Sequence, residues 1–400
     1  MVSVTRKLTL TVISALAFLT GTLSPPVYAR ADERPACEQN GITVYRNFPG
    51  AAFDSCAFSK DGTVEFVIRP EDKEINPSPW YAFRVVSNAS RRLPVVLNYG
   101  RIKHRYLPDV NYDGHTWQPL NDAQVISNPD ETRVQFSVAL HPAHATTVAA
   151  QPLLAGADYR AWIDSLDSAT VSTKEIGRSP LNNPLWRLTT APKTHTLLLI
   201  GRQHPPETTG AIAMLAFMER LFAQDELARE FRQQVGILAY PLLNPDGVEL
   251  GYWRHNTGSQ DLNRDWGPFT QIETRSVASD IDEYLGEHAT TLIKSIDFHS
   301  TWYEVFYTQE DATADNFPAL LGNWMTEFER AMKTWRPDFA LNRKPSHNAD
   351  RPTAKSYFFE RYGVASTTLE IGDATPDAYT GRYAQLAAES FMRVWLEQSR

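Results

Sequence analysis

Thr196-Leu197-Leu198-Leu199-Ile200-Gly201-Arg202-Gln203-His204-Pro205-Pro206-Glu207 joins an unbroken apolar run to a polar loop. A short run that is apolar at every position predicts a strand buried on both faces, as in a parallel sheet. Gly201 and the two prolines end it, so His204 and Glu207 leave a strand end on a loop able to turn both inward. An imidazole and a carboxylate three residues apart can chelate one ion, and the donor pair suits zinc. The same spacing arises often by chance, so the pair alone decides little.

Working outward, similar apolar runs recur at 235–240, 295–298 and 366–371. Helical stripes lie between and after them: Ile212, Leu215, Met218, Leu221 and Phe222 on one, Leu386, Phe391, Val394 and Trp395 on another. Buried strands alternating with helices predict an α/β fold, an α/β/α layer domain around a mixed or mostly parallel sheet. Its active site is expected at the carboxyl ends of the strands. Upstream the texture differs. Runs at 63–68, 80–86, 94–99 and 133–140 are rich in Val, Phe, Tyr and Ile. They are separated by Asp61-Gly62, Asn76-Pro77, Asp113-Gly114 and Asn128-Pro129-Asp130, which predicts a small β-sandwich. His141-Pro142-Ala143-His144 resembles a metal pair, but the proline and the lack of a nearby carboxylate or thiol favour a loop.

The bulk properties bound the function. The 400-residue chain is 42% hydrophobic with a formal net charge of −8. Two domains are the natural expectation at this length, and the acidic balance argues against sequence-independent nucleic-acid binding. Arg6 and Lys7 precede an apolar stretch from Leu8 to Leu23, then Val27-Tyr28-Ala29. That order predicts a signal peptide over 1–29, with export to the periplasm or beyond and no stable membrane insertion after cleavage. A retained anchor is the competing reading, although the stretch is short for a bilayer and carries several Ser and Thr. The remainder divides into the β-sandwich at 30–152 and the layered domain at 153–400. Cys37 and Cys56 are the only cysteines, and an even count in an exported chain suits one disulfide; two unpaired buried thiols are the alternative.

Three further segments carry chemistry. His299 ends the run Ser295-Ile296-Asp297-Phe298 and can supply a third ligand, leaving one metal position open for water, the mark of a catalytic zinc. Read alone, it would be a hydrogen-bonded core histidine. Asn244-Pro245-Asp246-Gly247, Trp253-Arg254-His255-Asn256 and Asp261-Leu262-Asn263-Arg264-Asp265-Trp266 form the densest polar segment. A guanidinium there can hold a substrate carboxylate in a bidentate way. Glu370 sits late in an apolar strand, where a carboxylate is costly unless paired or raised in pKa. A general base meets that description, and a structural salt bridge competes with it.

Taken in order, His-x-x-Glu, Asn-Pro-Asp-Gly, Trp-Arg, Asp-x-Asn-Arg, His and a late Glu resemble the carboxypeptidase A-like zinc metallocarboxypeptidases over about 153–400. Arg254-His255-Asn256 and 261–266, with the β-rich segment before them, resemble the cytosolic carboxypeptidase branch, although a leader does not fit that branch's name. The resemblance implies one zinc ion held by His204, Glu207 and His299, with Asp261 orienting the first histidine. It implies Arg254 on the scissile carbonyl, Asn263 and Arg264 on the free C-terminal carboxylate of a peptide, and Glu370 as general base. The mobile tyrosine of the digestive enzymes has no counterpart in Ser346-His347-Asn348-Ala349-Asp350, and Tyr357 and Tyr362 come later. Arg343, Lys344, Arg351 and Lys355 precede the base, which suits an acidic leaving residue such as glutamate or diaminopimelate; a solvated basic loop is the alternative and the somewhat better reading. A zinc deacylase of N-acyl amino acids and a non-catalytic polymer-binding protein are the rival functions.

Overall fold

Strands in the first third of the chain alternate in burial. In Arg133–Leu140, Val134, Phe136, Val138 and Leu140 point inward while the residues between them face outward or sit at the margin. The computed structural model describes residues 34–72, 80–310 and 315–399. The expected leader over 1–29 and the expected turn at Asn76-Pro77 lie outside these residues. Arg133–Leu140 pairs antiparallel with all of Arg91–Asn98 inside a five-stranded sheet. A six-stranded sheet containing Ile42–Tyr45, Ala82–Ser87 and Thr146–Ala149 packs over it. Val44, Phe66, Phe83, Val95, Leu97, Val134 and Val148 fill the space between, and Phe66 stacks on Phe83 at 3.9 Å. The sandwich is larger than the sequence suggested. Cys37–Gln39, Ser55–Phe58 and Trp117–Pro119 are short and largely exposed, and Asp109–Asn111, though mostly buried, is only three residues long, so none shows a pattern. Cys37 and Cys56 form a disulfide across a separation of 19 residues, tying the first strand of one sheet to the first strand of the other. Closing a loop of that size stabilises a fold by about 3 kcal/mol.

The later part is built on one eight-stranded mixed sheet. His195–Gly201 lies parallel to both Val235–Tyr240 and Thr291–Thr301, and Thr291–Thr301 lies parallel to Thr367–Gly372. Antiparallel strands flank this centre: Ser172–Arg178 and Pro184–Thr189 on one side, Val305–Thr308 beyond Thr367–Gly372 on the other. Alternate residues of the central strand feed opposite cores. Leu197 and Leu199 join the helices Thr208–Phe222, Leu320–Trp335 and Asp377–Gln398. Leu198 and Ile200 join Ile272–Glu287 and Ala354–Tyr362. Burying each such leucine contributes about 2 kcal/mol, which is why an all-apolar run is stable here and nowhere on a one-sided sheet.

One expectation is corrected. In Thr208–Phe222 the most buried residues are Ala211, Ala213, Met214, Phe217, Met218 and Leu221, while Ile212 and Leu215 are only half-buried. The helix is covered on two faces, by the sheet and by Asp377–Gln398, so a single stripe does not describe it. The Leu386, Phe391, Val394 and Trp395 stripe of Asp377–Gln398 is buried as expected.

Because the central strands are parallel, their carboxyl ends share one edge of the sheet. The β-sandwich meets the layered part there. Arg34–Arg400 form one compact unit, and Trp253 of the later part is buried in the sandwich core, its Nε1 donating to Tyr106 Oη at 3.0 Å.

Candidate metal centre and active site

After Gly201 the chain turns through Arg202, whose φ of 54° lies in the left-handed region. The Arg202 side chain holds the loop it begins, donating from Nε to the Pro205 carbonyl at 2.9 Å. His204 projects from this loop, and Glu207 stands at the N-terminus of Thr208–Phe222. That helix passes tightly against the strand bearing the other histidine. A Cβ on Gly210 would lie 2.3 Å from the His299 carbonyl oxygen, so only glycine permits the approach.

The approach brings three distant donors together. Ligand atoms of His204, Glu207 and His299 all lie within 4.8 Å of one another. His204 Nδ1 is 2.8 Å from Glu207 Oε1, His299 Nδ1 is 2.7 Å from Glu207 Oε2, and the two Nδ1 atoms are 3.2 Å apart. Ligands at zinc-to-nitrogen distances in a tetrahedral shell stand about 3.3 Å from each other. Two imidazoles and a carboxylate at this spacing fit a zinc ion, with a further position left for substrate or water.

Each imidazole is fixed from behind by a carboxylate, the usual device for orienting metal ligands. His204 Nε2 meets Asp261 Oδ1 at 2.9 Å, and His299 Nε2 meets Asp297 Oδ2 at 2.7 Å. Asp297 was not singled out from the sequence, although it stands two residues before His299 on the same strand and therefore on the same face. It is held in turn: Gln203 Nε2 donates to Asp297 Oδ2 at 2.8 Å, and Trp266 Nε1 donates to Gln203 Oε1 at 2.8 Å. We expect Asp297→Asn to weaken zinc affinity by about 10- to 100-fold with little change in melting temperature, measured by competition with a zinc chelator.

Two buried carboxyls of the cluster are held in their ionised form. Burial works to raise Glu207 and Asp261, but the imidazoles beside Glu207, and His204 and Arg254 beside Asp261, outweigh it and hold both carboxyls well below the usual range. Glu370 behaves oppositely. It lies directly opposite His299 in the sheet register. Burial pushes its carboxyl up to about 8, with Glu207 and Asp297 adding to the rise against the pull of His299 and Arg254.

A cavity of about 260 Å³ joins these groups, lined by His204, Glu207, His299, Glu370, Arg254, Asn263 and Arg264. Arg254 reaches it while clamped on Asp261 through Nε at 2.9 Å and Nη2 at 2.7 Å. Its backbone N–H and that of His255 both donate to Glu71 Oε1 of the β-sandwich. Asn263 Oδ1 accepts from the Ala354 N–H at 2.9 Å, while Nδ2 lies on the cavity wall, 3.3 Å from a His299 Nε2 already paired with Asp297. Arg264 is anchored by one bond to the Asn263 carbonyl and otherwise opens on the cavity.

The basic segment sorts into one cavity residue and three others. Arg343 is bonded to Thr308 Oγ1 and the Gln309 carbonyl, Lys344 to Tyr303 Oη, and Arg351 is exposed. Lys355 lines the cavity while only 3% exposed, and burial lowers its pKa. Tyr357 packs on Trp266 and Phe269, and Tyr362 bonds Asp282, so neither approaches the cavity. Tyr307 does, stacked at 4.2 Å on His347. It sits on the strand that pairs with the one bearing Glu370, a neighbour no spacing rule predicts. Arg105 and Tyr106 of the β-sandwich also line the cavity and were likewise missed. His141 and His144 form an isolated bridge in a loop, as expected.

Comparison with known proteins points the same way. A family model described as zinc carboxypeptidase matches residues 159–304. Mouse cytosolic carboxypeptidase 6 is 28% identical over 156 residues, which cover 36% of this chain and 29% of that protein. An uncharacterized protein of Zymomonas mobilis is 26% identical over 222 residues, 53% of this chain and 57% of its own length. The chain thus matches less than two thirds of either relative. Among solved structures, a metallo-carboxypeptidase from Burkholderia cenocepacia has a TM-score of 0.71 at 21% identity, covering 90% of this chain and 99% of that one. A metallo-carboxypeptidase from Pseudomonas aeruginosa has a TM-score of 0.67 at 17% identity, covering 89% and 100%. At these identities the structural likeness bears on the fold.

Proposed function

We propose, from the premise that this chain belongs to the zinc carboxypeptidase family, that it is a zinc-dependent peptidase releasing the C-terminal residue of peptides. The observation that carries the reading is the meeting, in one cavity, of a zinc-spaced His204–Glu207–His299 triad, a raised carboxyl at Glu370, and two arginines. When bound, zinc supplies Lewis acidity that makes a water acidic near pH ~7 and polarises a carbonyl. Glu370 takes the proton of the attacking water and returns it to the leaving amine. Arg254, held in place by Asp261, donates to the carbonyl oxygen as charge builds on it. Arg264 grips the terminal carboxylate with Asn263 Nδ2 beside it, the Asn263 side chain being fixed by the Ala354 N–H on its Oδ1.

The leaving residue we propose is acidic, glutamate or a diaminopimelate of cell-wall peptides. The support is Lys355, a nearly buried ammonium with no carboxylate partner among the described residues. A buried cation is costly unless a partner arrives, and a substrate carboxylate is such a partner. We also propose cleavage of the leader after Ala29 and action in the periplasm or outside the cell; the disulfide suits an oxidising compartment. On the same footing we propose the division into a β-sandwich at 30–152 and a catalytic part at 153–400.

The test is release from matched peptides ending in Glu, Lys or Phe by the zinc-loaded protein. Glu should be released fastest. Lys355→Met should slow Glu release by about tenfold or more while changing Phe release less than twofold. A wild-type preference for Phe would end the acidic pocket, and failure to cleave any of the three would end the peptidase reading.

A further inference from the structure

Two sets of groups line the cavity with the metal triad. Arg264, Lys355 and His347 form one, close enough that the two cations depress the His347 pKa, though burial acts on it more strongly. The other comes from the β-sandwich and the strand ends: Arg105 pairs with Asp373 and stands among Tyr106, Trp253 and Trp302. Arg105 belongs to the β-sandwich; Asp373 and Trp302 follow the catalytic strands that carry Glu370 and His299.

The geometry of this second flank is built. Arg105 Nε and Nη2 both donate to Asp373 Oδ2, at 2.8 and 2.5 Å, and the two side chains are only 13% and 10% exposed. Asp373 is itself placed by its N–H to the Thr301 carbonyl and by Gln151 on its own carbonyl. The guanidinium lies 4.5 Å from the ring of Trp302, which is 63% exposed. Among the described residues Arg105 Nη1 has no hydrogen-bond partner. The ion pair is neutral as a whole, so it does not select a charged ligand. It offers one fixed N–H beside a flat, wet aromatic face, which matches a neutral acceptor on a planar group: a peptide unit.

This inference rests on the carboxypeptidase reading. If the terminal residue is held on the Arg264 and Lys355 flank, the chain preceding the scissile bond leaves across the other one. We infer that Arg105 and Trp302 form a subsite for the peptide chain upstream of the scissile bond, with Arg105 Nη1 donating to a backbone carbonyl and Trp302 packing on the chain. The β-sandwich thereby supplies one wall of the substrate cleft.

Equilibrium binding separates this claim from catalysis. The zinc-loaded Glu370→Gln protein is titrated calorimetrically with an acetylated dipeptide and an acetylated tetrapeptide sharing the same two C-terminal residues. The tetrapeptide should bind about tenfold tighter or better. Trp302→Ala, a surface change, and Arg105→Met with Asp373→Asn, which removes both charges together, should each reduce that advantage to about threefold or less while leaving dipeptide affinity within twofold. Equal affinity for the two peptides, or equal weakening of both by the variants, would overturn the subsite. Absence of cleavage by the wild-type protein would count against the peptidase reading alone, since the length dependence of binding is still read.

Discussion

Glu370→Gln should leave the protein folded and zinc-loaded and lower turnover by about a thousandfold or more. The substitution keeps the shape and the hydrogen-bonding capacity of the side chain but removes its ability to accept a proton. The residue faces the cavity beside His299 and is not among the triad, so metal content should match that of the unaltered protein. In the metal-free protein, removing a carboxyl that burial has already pushed up to about 8 also removes a cost of ionisation from the fold, so its melting temperature should hold or rise. The sign follows from linkage: a raised carboxyl opposes the folded state increasingly as pH climbs from its unfolded value towards about 8. Metal analysis and single-turnover kinetics together check the claim. Near-normal hydrolysis by this variant would remove Glu370 from the chemistry.

Arg264→Ala should separate substrates by their C-terminus. Its guanidinium opens on the cavity and has a single bond to the neighbouring Asn263 carbonyl, so most of its donors remain for substrate. Losing a charge-assisted pair to a carboxylate in a desolvated pocket costs about 3 kcal/mol, or roughly a hundredfold in kcat/KM. The same peptide with an amidated end never makes that pair, and its already slow hydrolysis should change less than threefold. An equal loss on both would mean that Arg264 acts on the reaction rather than on recognition of the terminus.

These predictions draw unequally on sequence and structure. His204, Glu207 and His299 were legible because each follows an apolar run, and Glu370 because it interrupts one near its end; runs buried on both faces belong to parallel strands whose carboxyl ends share an edge. Asp261 and Arg254 were legible from their polar segment, but their clamp on one another was not. Asn263 was read as a cavity residue and lines it, but the Ala354 N–H that fixes its Oδ1 was not foreseen. The basic residues at 343–355 were read together, whereas the fold sends Lys355 alone into the cavity, because short-range spacing does not say which side of a loop faces inward.

The class of fold, the order of the β-rich and layered parts, and the identity of the donors were all readable along the chain, since hydrophobic period and residue chemistry are local properties. The walls of the cavity were not readable there and emerge from the folded arrangement. Asp297 behind His299, Tyr307 on the strand next to Glu370, and Arg105 from the β-sandwich enter through sheet register and packing between distant segments. Such neighbours are chosen by how surfaces bury against each other, and a reading of one stretch at a time has no access to that choice.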